Sequence, residues 1–265
     1  MKPIKNKNIW RYLRFLDGTA LVFIMTLFMA NLTGASLFKV NPVRIFLDPQ
    51  TRIEKLTLIN GGDEDLTVQI KVYQWTQDEK GQDIYQDTSD LIIFPKMATL
   101  KKDEEKIIRI GTNQKSGTSE KTYRLYVEEI PSADKTESKN PTIHMYLRIG
   151  IPIFLSPVKK EEKGVIETVT LQKGKTEFKV KNTGNQHLLL SVVQVKGLNN
   201  QGKEIFSKDI GGYYLLSGTS KVFETHLPKD VCGNINNLNV EVKTDTDYTL
   251  KEQFEVQKAM CGQNI

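Results

Sequence analysis

The sequence predicts an all-β protein made of two immunoglobulin-like β-sandwiches. Three observations carry that expectation. Past residue 35 no stretch repeats apolar residues at helical spacing. Short runs alternating apolar and polar residues recur instead, separated by clusters of Gly, Asn, Asp, Pro and Lys. A charged stretch, "VKKEEKG" (158–164), splits these runs into two series and suits an interdomain linker.

The first series begins with "FKVNPVRIFL" (38–47) and "RIEKLTLIN" (52–60). It continues through "LTVQIKVYQW" (66–75), "LIIFP" (91–95), "EKIIRIG" (105–111) and "YRLYVEEIP" (123–131), and closes with "IHMYLRIGIPIFLSP" (143–157). Seven strands over about 120 residues fit one immunoglobulin-like sandwich. The polar segments "NQKSGTSEK" (113–121) and "ADKTESKN" (133–140) read as mobile loops. The second series runs from "VIETVTL" (165–171) to "TLKEQFEVQ" (249–257) and predicts a second sandwich. The expected organisation is therefore a leader over 1–35, an N-terminal domain over 36–157 and a C-terminal domain over 158–265.

The leader has the pattern of a secretory signal. A basic start ends near Arg14, the apolar run "ALVFIMTLFMA" (20–30) follows, and Thr33 and Ala35 supply small residues for a cleavage site. The apolar run is shorter than the roughly 20 residues a membrane span requires. Cleavage and no stable membrane insertion afterwards are expected; retention as an anchor is the other reading. The formal charge of +5 is concentrated here, and the remainder is close to neutral. That balance gives no electrostatic footprint for nucleic acid.

Two cysteines in an exported chain, Cys232 and Cys261, favour a disulfide over two free thiols. His144, His187 and His226 share no metal-ligand spacing and read as surface or turn residues. No nucleophile elbow, zinc-protease motif or phosphate loop is present. The reading is a non-enzyme without metal or cofactor.

The informative segment is the last of the first series. Ile143, Met145, Leu147 and Ile149 share one face of a strand whose alternation persists for about twice the usual five or six residues. A face that outruns its own domain is suited to another protein. Arg44, in "NPVRIFL", and Arg148, in "MYLRIGI", are cations in apolar surroundings, and an arginine partly desolvated between two domains makes a strong fork for a carboxylate.

Taken in order, "NPVRIFLD", "LTLINGGDEDLTVQIKVYQW", "IIRI", "YRLYVEEIP" and the alternating "IHMYLRIGIPIFLSP" resemble the PapD-like periplasmic chaperones of the chaperone–usher pathway. The resemblance covers most of residues 37–157 and is looser over the second domain. It implies two immunoglobulin-like domains in an L shape, in the periplasm of a Gram-negative-type cell. The partners it implies are pilus or fimbrial subunits and an outer-membrane usher. The long strand would be lent to an incomplete subunit, with Ile143, Met145, Leu147 and Ile149 filling its groove. Arg44 matches the family's carboxylate anchor. The usual second anchor, a lysine, falls on Pro152, and Arg148 is the substitute. Glu129 and Asp247 are the expected interdomain polar contact, while the arginine usual before the final Pro is Ser156. These departures mark a divergent branch. The competing reading is a secreted or anchored two-domain surface protein or adhesin.

Overall fold

The computed structural model describes residues 38–131 and 145–262. The expected leader and the expected donor residue Ile143 lie outside the described residues, as does the 133–140 segment. Two β-sandwiches with separate hydrophobic cores make up the described chain.

The N-terminal sandwich contains β1 (Phe38–Asn41), β2 (Ile45–Leu47), β3 (Ile53–Asn60), β4 (Leu66–Gln77) and β5 (Asp83–Asp87). It continues with β6 (Leu91–Phe94), β7 (Met97–Leu100), β8 (Glu105–Thr112), β9 (Lys121–Glu129) and β10 (Arg148–Leu155). One sheet has the order β1-β3-β8-β6; the other has the order β2-β10-β9-β4-β5, with β7 also on β4. Leu56, Leu58, Ile108 and Ile110 from the first sheet pack against Leu125, Val127, Ile151 and Ile153 from the second. The single run read over 38–47 is two strands in different sheets. Pro42 has no N–H to donate, so the ladder stops at Asn41 and the chain turns before Ile45 enters the opposite sheet. Arg44 therefore sits in a turn just before β2, not within a strand.

The C-terminal sandwich contains β11 (Gly164–Gln172), β12 (Lys175–Asn182), β13 (Leu188–Leu198), β14 (Glu204–Gly211), β15 (Tyr214–Leu215), β16 (Ser220–His226), β17 (Asn237–Thr244) and β18 (Thr249–Glu255). Its sheets are β11-β12-β16 and β14-β13-β17-β18, with β15 on β13. No helix among the described residues is long and apolar enough to cross a membrane.

The expected mobile loop over 113–121 is instead fastened. Gln114 O accepts from Arg52, Gly117 O accepts from the Val158 N–H, and Thr118 O accepts from Asn185 Nδ2. Glu120 N–H donates to Asn185 O. The segment is polar because its backbone and side chains meet the polar start of the second domain.

Cys232 ends a one-turn helix, α1 (Lys229–Cys232), and is bonded to Cys261 in a 3-10 turn. Both are buried, with Cα atoms 5.7 Å apart. The bridge closes a loop of 29 residues, which by chain-entropy reasoning contributes about 3–4 kcal/mol. Cys261→Ser should lower unfolding free energy in denaturant titration by about that amount. It should do so without changing the N-terminal domain's transition.

Candidate functional site

The site is built on β10, which performs a different task on each side. Odd residues Ile149, Ile151, Ile153 and Leu155 point into the N-terminal core, with Ile151 and Ile153 wholly buried. Toward its start the same face leaves the sandwich behind. Ile149 is half-buried against the core, Leu147 is 39% exposed and Met145 is 83% exposed. The apolar alternation thus continues past the point where the chain's own core can cover it. Ile149 belongs in part to that core, whereas Leu147 is partly exposed and Met145 is largely bare.

The strand's edges are also unequal. β9 pairs antiparallel with all of β10, from Arg148↔Glu128 to Leu155↔Lys121. β2 pairs parallel with Ile153–Leu155 alone. Among the described residues the second edge of Arg148–Pro152 has no partner strand. Leu147 O accepts from Glu129 N–H on the β9 side, and Ser156 N–H donates to Leu47 O on the β2 side. By alternation the backbone groups of Arg148, Gly150 and Pro152 face the open edge. Pro152 is tolerated because its missing N–H would point there, outside the β9 ladder. Gly150 is required by close packing, since a Cβ would come within 2.9 Å of the Tyr126 ring.

Arg44 lies where β2 stops covering β10. In the parallel register Ile45 is opposite Ile153, which puts Arg44 level with Pro152 at the corner of the open edge. Its Nη1 is 2.7 Å from Asp245 Oδ2 in the C-terminal domain. That hydrogen bond raises the guanidinium pKa above its already high ordinary value. Arg148 is elsewhere. Its Nε is 2.7 Å from Glu128 and its guanidinium lies 3.8 Å over the Tyr126 ring. Four residues of strand, about 13 Å, separate its level from that of Arg44, so the structure does not bring the two arginines together. The interdomain contact expected of Glu129 and Asp247 is likewise placed differently. Glu129 accepts from Leu147 N–H inside its own domain, and Asp245 is the acid that crosses the junction to Arg44.

The even face of β10 ends in Phe154, wholly buried between the domains with Trp75 and Leu216. His187 stacks on Phe154 with ring centres 3.7 Å apart. Glu120, only 3% exposed, accepts from both the His187 backbone N–H and its Nδ1 at 2.9 and 2.7 Å. This histidine, read as a surface or turn residue, is part of the junction. Gln77 acts as a backbone mimic: its Nε2 donates to Tyr214 O, and its Oε1 accepts from Leu216 N–H and Thr219 Oγ1. Arg124 lies 4.1 Å over Trp75 and donates to Tyr213 Oη, which donates to Asp83.

The residues from 37 to 160 match the family model of the pili and flagellar-assembly chaperones, PapD N-terminal domain. Over that span the chain carries a PapD-type N-terminal domain. Solved structures share its fold. One is a chain of the CsuC–CsuE chaperone–tip adhesion subunit pre-assembly complex, from archaic chaperone-usher Csu pili of Acinetobacter baumannii. It is 22% identical with TM-score 0.52, covering 71% of this chain and 90% of that one. The YadV chaperone is 14% identical with TM-score 0.55, covering 83% and 99%. A chain of the Salmonella enterica SafA pilin–SafB chaperone complex is 16% identical with TM-score 0.53, covering 84% and 98%. No curated protein sequence matches.

The junction residues Trp75, Gln77, Phe154, Tyr213 and Asp245 escape a reading of sequence. Only Phe154 carries a signal. The two-residue period that buries Ile153 and Leu155 turns Phe154 outward, and a large aromatic on an outward face needs a second surface to cover it. The Asp83 carboxyl is pushed up by burial, but hydrogen bonds from Trp75, Tyr213, Gln77 and Tyr85 outweigh this and hold it below its ordinary 3.8. A depressed carboxyl contributes stability that is present above its unfolded pKa and is lost as pH falls through the folded value. Acid titration of the melting temperature should therefore show a decline beginning below about pH 4, and Asp83→Asn should flatten that part of the curve while lowering the plateau.

Proposed function

We propose that this chaperone works in the periplasm, in the chaperone–usher pathway. It holds an incomplete pilus or fimbrial subunit by lending it the start of β10, then passes it to an outer-membrane usher. The observation that carries the proposal is the combination on one segment of an open backbone edge and a bare apolar face. Arg148–Pro152 lack a second strand partner among the described residues, and Met145 and Leu147 project beyond the core. Two of the fold relatives are known in complexes with a tip adhesion subunit and a pilin.

The physics favours this use. A subunit with a missing strand exposes a strip of core and an unpaired edge, both aggregation hazards. A lent strand supplies hydrogen bonds along the edge, and alternate side chains fill the core. Each large apolar side chain buried contributes roughly 1.5–3 kcal/mol. Arg44, at the corner of the open edge, would receive the terminal carboxylate of the added strand. That places a C-terminus at the Pro152 end, so the client strand runs parallel to β10. A surface-protein or adhesin role gives no use to an apolar face standing on an open edge beside a cross-domain arginine.

Met145→Glu separates donation from self-packing. Met145 is 83% exposed, so the free variant should melt like the native protein. A carboxylate forced into an apolar groove costs several kcal/mol, enough to weaken subunit capture at least about a thousandfold. Thermal melting and co-purification with the periplasmic subunit are the measurements. A collapse in melting temperature would assign the residue to the chaperone's own core, and unchanged capture would remove it from the groove.

A further inference from the structure

Arg44 already holds a carboxylate. Asp245 follows β17 in a turn whose backbone is pinned. Its N–H donates to Leu189 O, and the preceding Thr244 bonds Tyr248 O through both its N–H and its Oγ1. The acid is therefore presented to Arg44 from a fixed position on the C-terminal domain, 2.7 Å away. Both side chains remain about one-third exposed, 37% and 33%. A water-accessible pair of this kind is weak and exchangeable. It is also intramolecular, so any free carboxylate must compete against an effective concentration in the millimolar range.

We infer that Asp245 is a built-in competitor for the client's terminal carboxylate, occupying Arg44 until an adding strand displaces it. This rests on the reading of Arg44 as the client anchor. The pair spans the corner where the open edge of β10 ends, so a strand that pairs with Arg148 and Gly150 arrives with its end at the Arg44–Asp245 contact. A free anion or an unstructured chain end brings no such help and loses to Asp245. A client that also adds backbone hydrogen bonds and apolar contacts wins. Asp245 thereby makes anchoring conditional on strand addition, and capture by Arg44 opens one cross-domain tie while Gln77 and the Phe154 cluster keep the others.

The test uses the full chaperone and a short synthetic peptide of alternating valine and serine, prepared with a free C-terminal carboxylate and as its C-terminal amide. Affinities are measured by calorimetry for native protein, Asp245→Asn and Arg44→Ala, with melting temperatures alongside. Removing the competitor should tighten the acid peptide by about two- to fivefold, the range expected of an exposed pair. The amide should be unaffected, and melting should change little. Arg44→Ala should erase the preference for acid over amide. If Arg44→Ala erases that preference but Asp245→Asn leaves the acid affinity where it was, the competitor is refuted and the anchor stands. If Asp245→Asn weakens both peptides and lowers the melting temperature, the pair is a structural strap and the inference fails. If acid and amide bind the native protein alike, the anchor itself is wrong; if neither binds, strand addition is wrong.

Discussion

The structure depends on an unequal division of the two edges of β10. One edge is paired throughout with β9; the other is covered by β2 for only three residues, Ile153–Leu155. The cause lies at the other end of the domain's sequence. Pro42 interrupts the first strand, so β1 serves one sheet and only the short remnant Ile45–Leu47 reaches the other. A longer β2 would cover that edge. The exposed stretch is protected against indiscriminate pairing by a charged residue, Arg148, and by Pro152, both devices that blunt an edge.

One strand consequently serves three masters. Its odd residues from Ile151 onward fill the N-terminal domain's own core, its even residue Phe154 cements the two domains, and its start, paired with β9 on one edge, has no partner strand on the other among the described residues. Stiffness at the junction keeps the open edge of that start aimed. Phe154 is clasped by Trp75, His187 and Tyr214, and the Gln77 amide satisfies three groups of the C-terminal domain. Buried polar groups satisfied in this way are costly to break one at a time, so the domain pair resists bending about β10. The exposed Arg44–Asp245 contact is the part of the junction suited to change.

The two-sandwich fold was legible because alternation and turn clusters report strands directly, and the second series, from "VIETVTL" to "TLKEQFEVQ", corresponds to β11–β18. The strands β5 and β7 were not: "DIYQD" is mostly exposed and "MATL" is four residues, so neither carries a strong apolar period. The split of the first run was written in Pro42, yet the assignment of its halves to opposite sheets is a long-range fact. At the site, the bare face of Met145 and Leu147 followed from a period that outran its domain. The partners of the arginines did not follow, because Asp245 is 201 residues from Arg44 and an ion pair leaves no periodic trace. For the same reason His187 looked like a turn residue, although Glu120 and Phe154 enclose it.

The central claim is that the open edge of β10 is where a subunit strand adds. Hydrogen exchange at the backbone amides of Arg148 and Gly150, in the free chaperone and in its complex with a co-purified subunit, tests this most directly. These N–H groups face the open edge, whereas the neighbouring Ile149 and Ile151 amides face β9. The account predicts that Arg148 and Gly150 exchange quickly in the free protein and become protected in the complex, with little change at Ile149 and Ile151. Rapid exchange at Arg148 and Gly150 in an intact complex, with new protection confined to other strands, would contradict it.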